Sequence, residues 1–277
     1  MFYLIVILII TGVVLLAAGK KYSLILAALF LSAGVTASSW LAFSALFNLS
    51  LPVEINEFLT GTGIVCDRLS AVFILIISFT VVTGFIYSAG YLKPYTRSKP
   101  ELWKKLHYAA LLWLYLSMIA VVLFRNGFAF LVAWEIMTVS SFMLVIYEYD
   151  KKGTVQAGIN YLVQMHVGML FLLFAFIISS DGSEGVSFDN LQFYFSRNSN
   201  WLVFLLFFIG FGLKAGFILL HTWLPEAHPA APSHVSGIMS GVMIKLGIYG
   251  ILLVSISLQY DMYVIGTSLM VLSAVTG

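Results

Sequence analysis

Charge is what this chain has least of. Only 9% of its 277 residues are Asp, Glu, Lys or Arg, against 61% hydrophobic, where an ordinary soluble domain carries roughly 25% charged residues. No soluble fold of this length hides that much apolar surface. Cysteine is nearly absent: Cys66 stands alone, which excludes an internal disulfide and a cysteine-rich metal shell, and it reads as a small, half-buried residue near the membrane edge. Proline is scarce, and three of the six prolines fall together at Pro225, Pro229 and Pro232. There is no P-loop, no Gly-x-Gly-x-x-Gly after a strand, no Cys-x-x-Cys and no Ser/His/Asp arrangement. The sequence therefore offers no catalytic chemistry of its own on a soluble substrate. A net charge of +2 carries no signature of a nucleic-acid partner.

What the chain has is long apolar runs. A span needs ~20 apolar residues, and eight candidates meet or approach that: Phe2–Ala18, Tyr22–Phe47, Leu69–Leu92, Leu106–Leu123, Gly127–Tyr147, Val155–Ser179, Trp201–Leu220 and Val235–Leu258. The runs are unbroken, where a β-barrel would alternate apolar and polar residues. The class is an all-α polytopic membrane protein, with the lipid bilayer as its solvent. The first run has no basic residue before it and no small-residue cleavage site ahead of Lys20 and Lys21, which suits a retained helix rather than a signal peptide. A ninth run, Met262–Val275, is short for a crossing and the chain stops at Gly277. The sequence reads as a fragment, a split gene product or the visible part of something longer.

Basic residues set orientation. Lys20, Lys21, Lys93, Arg97, Lys99, Lys104, Lys105, Lys151 and Lys152 fall in loops on one side, and only Arg68, Arg125 and Arg197 on the other. Nine against three puts the first set in the cytoplasm and the N-terminus outside, in a cell inner membrane or plasma membrane. Two outer loops predict structure of their own. Pro52–Cys66 reads as a small hairpin around Thr-Gly-Thr-Gly. Ser183–Phe195 places Phe188, Leu191 and Phe195 at helical spacing, as in a short helix lying on the outer surface.

Three ionisable residues interrupt the apolar spans. At ~1.5 Å of rise per residue, Lys214 lies ~20 Å into the seventh span, Lys245 ~15 Å into the eighth and Glu135 ~12 Å into the fifth. All fall in the middle of a core ~30 Å thick. A charge there costs at least ~2.5–3.5 kcal/mol on insertion scales, so each needs a partner or a water-filled cavity. Opposite signs make Glu135 and Lys214 the expected pair, and a nearby carboxylate that comes and goes would shift the lysine between charged and neutral, passing a proton on to Lys245. The alternative is a static ion pair that only fixes helix register, but Lys245 then has no spare carboxylate to neutralise it.

The seventh span ends in His221-Thr-Trp-Leu-Pro-Glu-Ala-His-Pro-Ala-Ala-Pro-Ser-His234. Its prolines forbid a continuous helix. Either this is a plain cytoplasmic loop, or it is a broken helix of the kind that recurs in ion transporters. His221, His228 and His234 are spaced seven and six apart, which does not gather them on one helical face as a metal shell requires. A proton relay suits imidazoles better, with Glu226 at its entrance. His166, in the sixth span, is either a satisfied core histidine or a link between Glu135 and the lysines. His107, at the start of the fourth, reads as an interface residue.

These residues also carry a resemblance. Trp134-Glu-Ile-Met-Thr, Gly212-Leu-Lys-Ala-Gly, the His221 segment, Met243-Ile-Lys-Leu-Gly-Ile-Tyr-Gly, Asp67-Arg-Leu-Ser and Ser88-Ala-Gly-Tyr together resemble the antiporter-like membrane subunits of respiratory complex I, multisubunit cation/proton antiporters and membrane-bound NiFe hydrogenases. Within that family, Ala227-His-Pro-Ala-Ala-Pro-Ser-His-Val-Ser-Gly and His166 look most like the hydrogenase-4 component B and formate hydrogenlyase subunit 3 branch. The resemblance implies three leading helices and an outer hairpin over 1–105, one five-helix antiporter-like repeat over 106–260 with its seventh helix broken, and the start of a ninth helix over 261–277, the second repeat being absent. It implies that Glu135, Lys214 and Lys245 are the family's fifth-, seventh- and eighth-helix ionisable residues, and that His221 and His228 are the histidines around the break. It further implies proton translocation coupled to redox chemistry elsewhere. This chain would hold no cofactor; NiFe and iron–sulfur centres would sit in partner subunits, with a soluble hydrogenase or dehydrogenase arm and other membrane subunits as partners. A sodium/proton antiporter subunit, a complex I subunit and a non-conducting structural subunit are the rival readings.

Overall fold

The structure, a computed structural model, describes residues 2–19, 22–47, 53–55, 64–94, 99–180, 186–197, 201–258 and 267. Helices α1 (Phe2–Ala17), α2 (Ser23–Phe47), α3 (Arg68–Tyr91), α4 (Glu101–Leu123), α5 (Gly127–Val145) and α6 (Thr154–Ser179) follow in order. They continue through α7 (Asp189–Arg197), α8 (Trp201–Ala215), α9 (Leu224–Ala230), α10 (Ser233–Ile238) and α11 (Ile244–Ile256), the last two joined without a break through a π-helical turn, Met239–Met243. Strands β1 (Val53–Ile55) and β2 (Ile64–Cys66) pair antiparallel between α2 and α3. Among the described residues six helical stretches are long and apolar enough to cross a membrane, and α1 and α8 are shorter apolar helices. The run Met262–Val275 lies outside the described residues apart from Thr267.

The centre of the bundle is α4. Leu111, Leu112, Leu114, Tyr115 and Met118 are all buried, because α1, α2, α3 and α5 pack around it. Hydroxyls tie these neighbours together in place of the hydrophobic drive that a lipid solvent removes: Tyr115 Oη meets Ser38 Oγ of α2 at 2.7 Å and Ser78 Oγ of α3 at 3.2 Å. At the other flank α6 and α8 approach through facing glycines. A Cβ on Gly210 would stand 2.8 Å from the Gly168 carbonyl oxygen, so only small residues allow the backbones this close.

The two strands of the expected hairpin and the expected short helix are present, while 56–63, with the Thr-Gly-Thr-Gly turn, and 183–185 lie outside the described residues. Asp67, just after β2, accepts from Ser70 N–H at 2.7 Å as the N-cap of α3, and its other oxygen accepts from Arg125 at the α4–α5 turn. Phe188, Leu191 and Phe195 are buried under α7, and Phe188 packs edge-to-face on Phe130, 5.0 Å between ring centroids. Cys66 is fully buried rather than half-buried; burial and the neighbouring Asp67 push its thiol up to about 11.

Two span boundaries differ from expectation. The fourth span begins at Glu101, five residues earlier than the apolar run, because Glu101 and Lys105 form an i,i+4 pair at 3.8 Å on a polar first turn. The seventh ends at Ala215, not Leu220, because Gly216 turns left-handed at φ 69°.

Candidate functional site

The break in the seventh span positions the site. Gly216 takes the left-handed conformation that a side chain resists, and Phe217 N–H reaches back to Gly212 C=O at 3.1 Å, the six-to-one bond of a Schellman cap. Leu219 is also left-handed, φ 71°, a strained state for a branched residue. Helix then resumes as α9, with Pro225 in its first turn, and stops again before Pro232. Of the loop and the broken helix, the structure gives the second. Trp223 is wholly buried and donates its indole N–H to Leu213 C=O at 2.9 Å, satisfying a carbonyl that the helix end would otherwise orphan.

Lys214 therefore sits in the last turn of α8, where the exposed carbonyls favour a cation. It is 1% exposed. Its ammonium donates to Tyr161 Oη of α6 at 2.9 Å and, more loosely, to Thr138 Oγ1 of α5 at 3.5 Å, and it lies 5.8 Å from the centre of the Trp134 ring. Tyr161 Oη continues to Ser141 Oγ at 2.6 Å, and Ser141 donates to the Met137 and Thr138 carbonyls, both at 2.8 Å. The donors order themselves along this chain. With Lys214 charged, its N–H points to Tyr161, the phenol O–H to Ser141, and the serine O–H to the backbone. With Lys214 neutral, its lone pair can accept the phenol proton instead. The protonation state of the lysine is thereby written into the direction of the Tyr161 hydrogen bond.

Among the described residues Glu135 and Lys214 make no direct ion pair within 4.0 Å, where opposite sign predicts one. Glu135 Oε2 lies 3.2 Å from His166 Nε2 of α6, while Lys214 reaches Thr138, one turn further along the same side of α5, and Tyr161. His166 Nδ1 meets the Leu162 carbonyl at 2.9 Å. A carbonyl only accepts, so Nδ1 carries the hydrogen. Nε2 is the nitrogen that faces the Glu135 carboxylate. Glu135 Oε1 is buried without a partner. The residue also lines an otherwise apolar cleft of about 500 Å³ between α1, α4 and α5.

The remaining expected residues scatter. Lys245 is exposed on the surface of the described residues and donates to the Ser240 carbonyl at 2.6 Å. Gly247 and Gly250, not Lys245, are the residues of α11 that meet Phe211 and Ala215 of α8, and a π-helical turn, in which Met239 C=O pairs with Ile244 N–H five residues on, precedes them. His221 is exposed, His228 Nδ1 meets Ser236 Oγ at 2.8 Å, and His234 is buried elsewhere. Glu226 accepts from Asn160 Nδ2 at 2.8 Å, and Asn160, Gln164 and Thr222 continue as a polar lane tying α6 to the break. His107, expected at the interface, is 2% exposed, packed against His234 of α10. Sequence reasoning missed Tyr161, Thr138, Ser141 and Trp223. The one available signal was a cluster of hydroxyls three and six residues past Glu135.

The comparisons with known proteins agree with this architecture. The family profile described as NADH:quinone oxidoreductase/Mrp antiporter, TM matches residues 125–277. Hydrogenase-4 component B of Escherichia coli is 42% identical over 200 residues, 69% of this chain and 28% of that protein. NAD(P)H-quinone oxidoreductase chain 4 3 of Picosynechococcus sp. is 31% identical over 218 residues, 77% of this chain and 38% of that one. This chain thus spans well under half the length of either relative. Among solved structures, the Mrp complex from Dietzia sp. contains a chain with a TM-score of 0.71 at 20% identity, over 91% of this chain and 47% of that one. The membrane-bound sulfane sulfur reductase, an archaeal respiratory membrane complex, gives 0.69 at 23% identity, over 90% and 40%; both likenesses are of fold. The bundle of membrane helices, the capped break at Gly216 and the matched profile lead to one conclusion: the chain belongs to the NADH:quinone oxidoreductase/Mrp antiporter family of antiporter-like membrane subunits.

Proposed function

We propose that this chain is a proton-translocating membrane subunit of a complex I-like, membrane-bound NiFe hydrogenase, lying in the cell inner membrane or plasma membrane with its N-terminus outside. The observation that carries the translocating part is Lys214: an amine 1% exposed at a broken helix end, held by neutral hydroxyls and, among the described residues, by no carboxylate within 4.0 Å. The reversible Tyr161 bond accommodates either charge state of an amine so placed. Glu135 and His166 hold a second exchangeable proton on the adjoining face of α5. Lys245, His221 and His228 serve the path beyond this chain's core, at the surface of the described residues. The 42% identity with Hydrogenase-4 component B supports the hydrogenase assignment. NiFe and iron–sulfur chemistry belongs to partner subunits, and this chain converts it into movement of positive charge.

The test uses inverted membrane vesicles containing the assembled complex. Hydrogen oxidation acidifies their interior, and Lys214→Met abolishes that acidification while leaving hydrogenase activity with a soluble dye intact. Normal acidification by the variant would refute translocation through Lys214. The 31% identity with an NAD(P)H-quinone oxidoreductase chain favours one second reading, a subunit of a quinone-linked dehydrogenase; gradient formation driven by NAD(P)H and not by hydrogen would select it.

A further inference from the structure

Away from Lys214, two imidazoles meet inside the bundle. His107 of α4 and His234 of α10 are 2% and 4% exposed, and their Nε2 atoms lie 2.8 Å apart. Each Nδ1 is buried with no hydrogen-bond partner among the described residues. An Nε2–Nε2 hydrogen bond between neutral rings allows only one arrangement of hydrogens: one ring donates from Nε2 and leaves Nδ1 as a bare acceptor, and the other accepts at Nε2 and carries its hydrogen on Nδ1. The pair thus presents an unfilled acceptor at one end and an unfilled donor at the other, where buried polar groups ordinarily find partners.

The surroundings lead to a loop surface. The Tyr91 ring stands edge-on to His234, 5.3 Å between centroids, and its hydroxyl donates to Glu148 Oε1 at 3.0 Å. The second oxygen of Glu148 pairs with Lys151, which is 60% exposed. Tyr147 stands edge-on to His107 at 4.6 Å. In the other direction, α10 runs on through the π-helical turn to Met243, whose Sδ is 3.9 Å from Tyr161 Oη, the hydroxyl that holds Lys214.

We propose that His107 and His234 form a two-ring proton relay between the Glu148–Lys151 loop surface and the interior that contains Lys214. A proton arriving at the bare Nδ1 of one ring makes it an imidazolium. Its Nε2 hydrogen crosses 2.8 Å to the partner's Nε2, and the partner releases the hydrogen from its own Nδ1. One proton enters and one leaves, and both tautomers invert; each ring returns to its starting tautomer by gaining a proton at one nitrogen and losing it from the other. This inference rests on the proton-translocating reading and adds an access route to it.

The variants His107→Gln and His234→Gln keep a hydrogen-bonding side chain but cannot take and release a proton. In vesicles with hydrogen as reductant, each is expected to slow acidification about tenfold, the low side of what a positioned acid–base group supplies, with subunit content and dye-linked hydrogenase activity unchanged. Acidification at the wild-type rate by both, in vesicles where Lys214→Met is inactive, overturns the relay and leaves the function of Lys214 standing. Should the glutamine variants fail to assemble, or Lys214→Met itself pump, the wild-type complex decides. With nitrogen-15-labelled histidine in nanodiscs, the imidazole hydrogens of both rings are expected to exchange with deuterated water within minutes, and their retention for hours overturns the proposal.

Discussion

Lys214 Nζ donates to Tyr161 Oη at 2.9 Å, across the interface between α8 and α6. Both side chains are almost wholly enclosed. The contact joins the broken helix to the one whose Gly168 lets α8 approach. Packing and proton chemistry therefore depend on the same interface.

Removing the phenolic oxygen tests that dependence. Tyr161→Phe leaves the Lys214 amine with only the 3.5 Å hydrogen bond to Thr138, and an unsatisfied buried donor costs about 1–3 kcal/mol, more when it is charged. The solubilised complex should lose thermal stability accordingly, and hydrogen-driven acidification should fall by about tenfold or more. Thr138→Ala, at the longer distance, should do much less to both readings.

Glu135 and His166 are in contact at 3.2 Å, so their effects should not add. Glu135→Gln and His166→Gln are each expected to slow acidification, and the double variant to be little worse than the poorer single one. A coupling of ~0.5–3 kcal/mol between the two changes is the range for side chains in contact. Additive losses would show that the contact is incidental to transport.

The glycine approach gives a test of the fold alone. Gly210→Ala would press a methyl to 2.8 Å from the Gly168 carbonyl, and overpacking of this kind costs ~1–3 kcal/mol. Gly237→Ala meets nothing within 4 Å and should be neutral or slightly stabilising. Steady-state level in membranes and the melting midpoint of the solubilised complex distinguish the two.

Much of this was legible in the residues. Unbroken apolar runs located the spans, because a membrane helix must satisfy its own backbone and advertises itself by length. Phe188, Leu191 and Phe195 located α7 by their spacing. The cluster of prolines flagged the break, but not where α8 stops, since that depended on Gly216 turning left-handed. Polar residues within apolar runs were visible as anomalies, and Glu135 and Lys214 both proved to be held by specific partners. Which partners was not legible. Opposite charge suggested Glu135 with Lys214, and the direct contacts are to His166 and Tyr161 of α6 instead. The exposure of Lys245 and the burial of His107 were not legible either, because neither follows from the spacing of apolar residues along its own helix.

The central claim is that Lys214 must lose and regain a proton in place. Lys214→Arg tests it most directly, since arginine keeps the positive charge and the donors but does not deprotonate in proteins. Acidification of inverted vesicles is the measurement, with dye-linked hydrogenase activity and subunit content as controls. The account predicts an assembled complex that oxidises hydrogen and moves no protons; acidification by Lys214→Arg at the wild-type rate would contradict it.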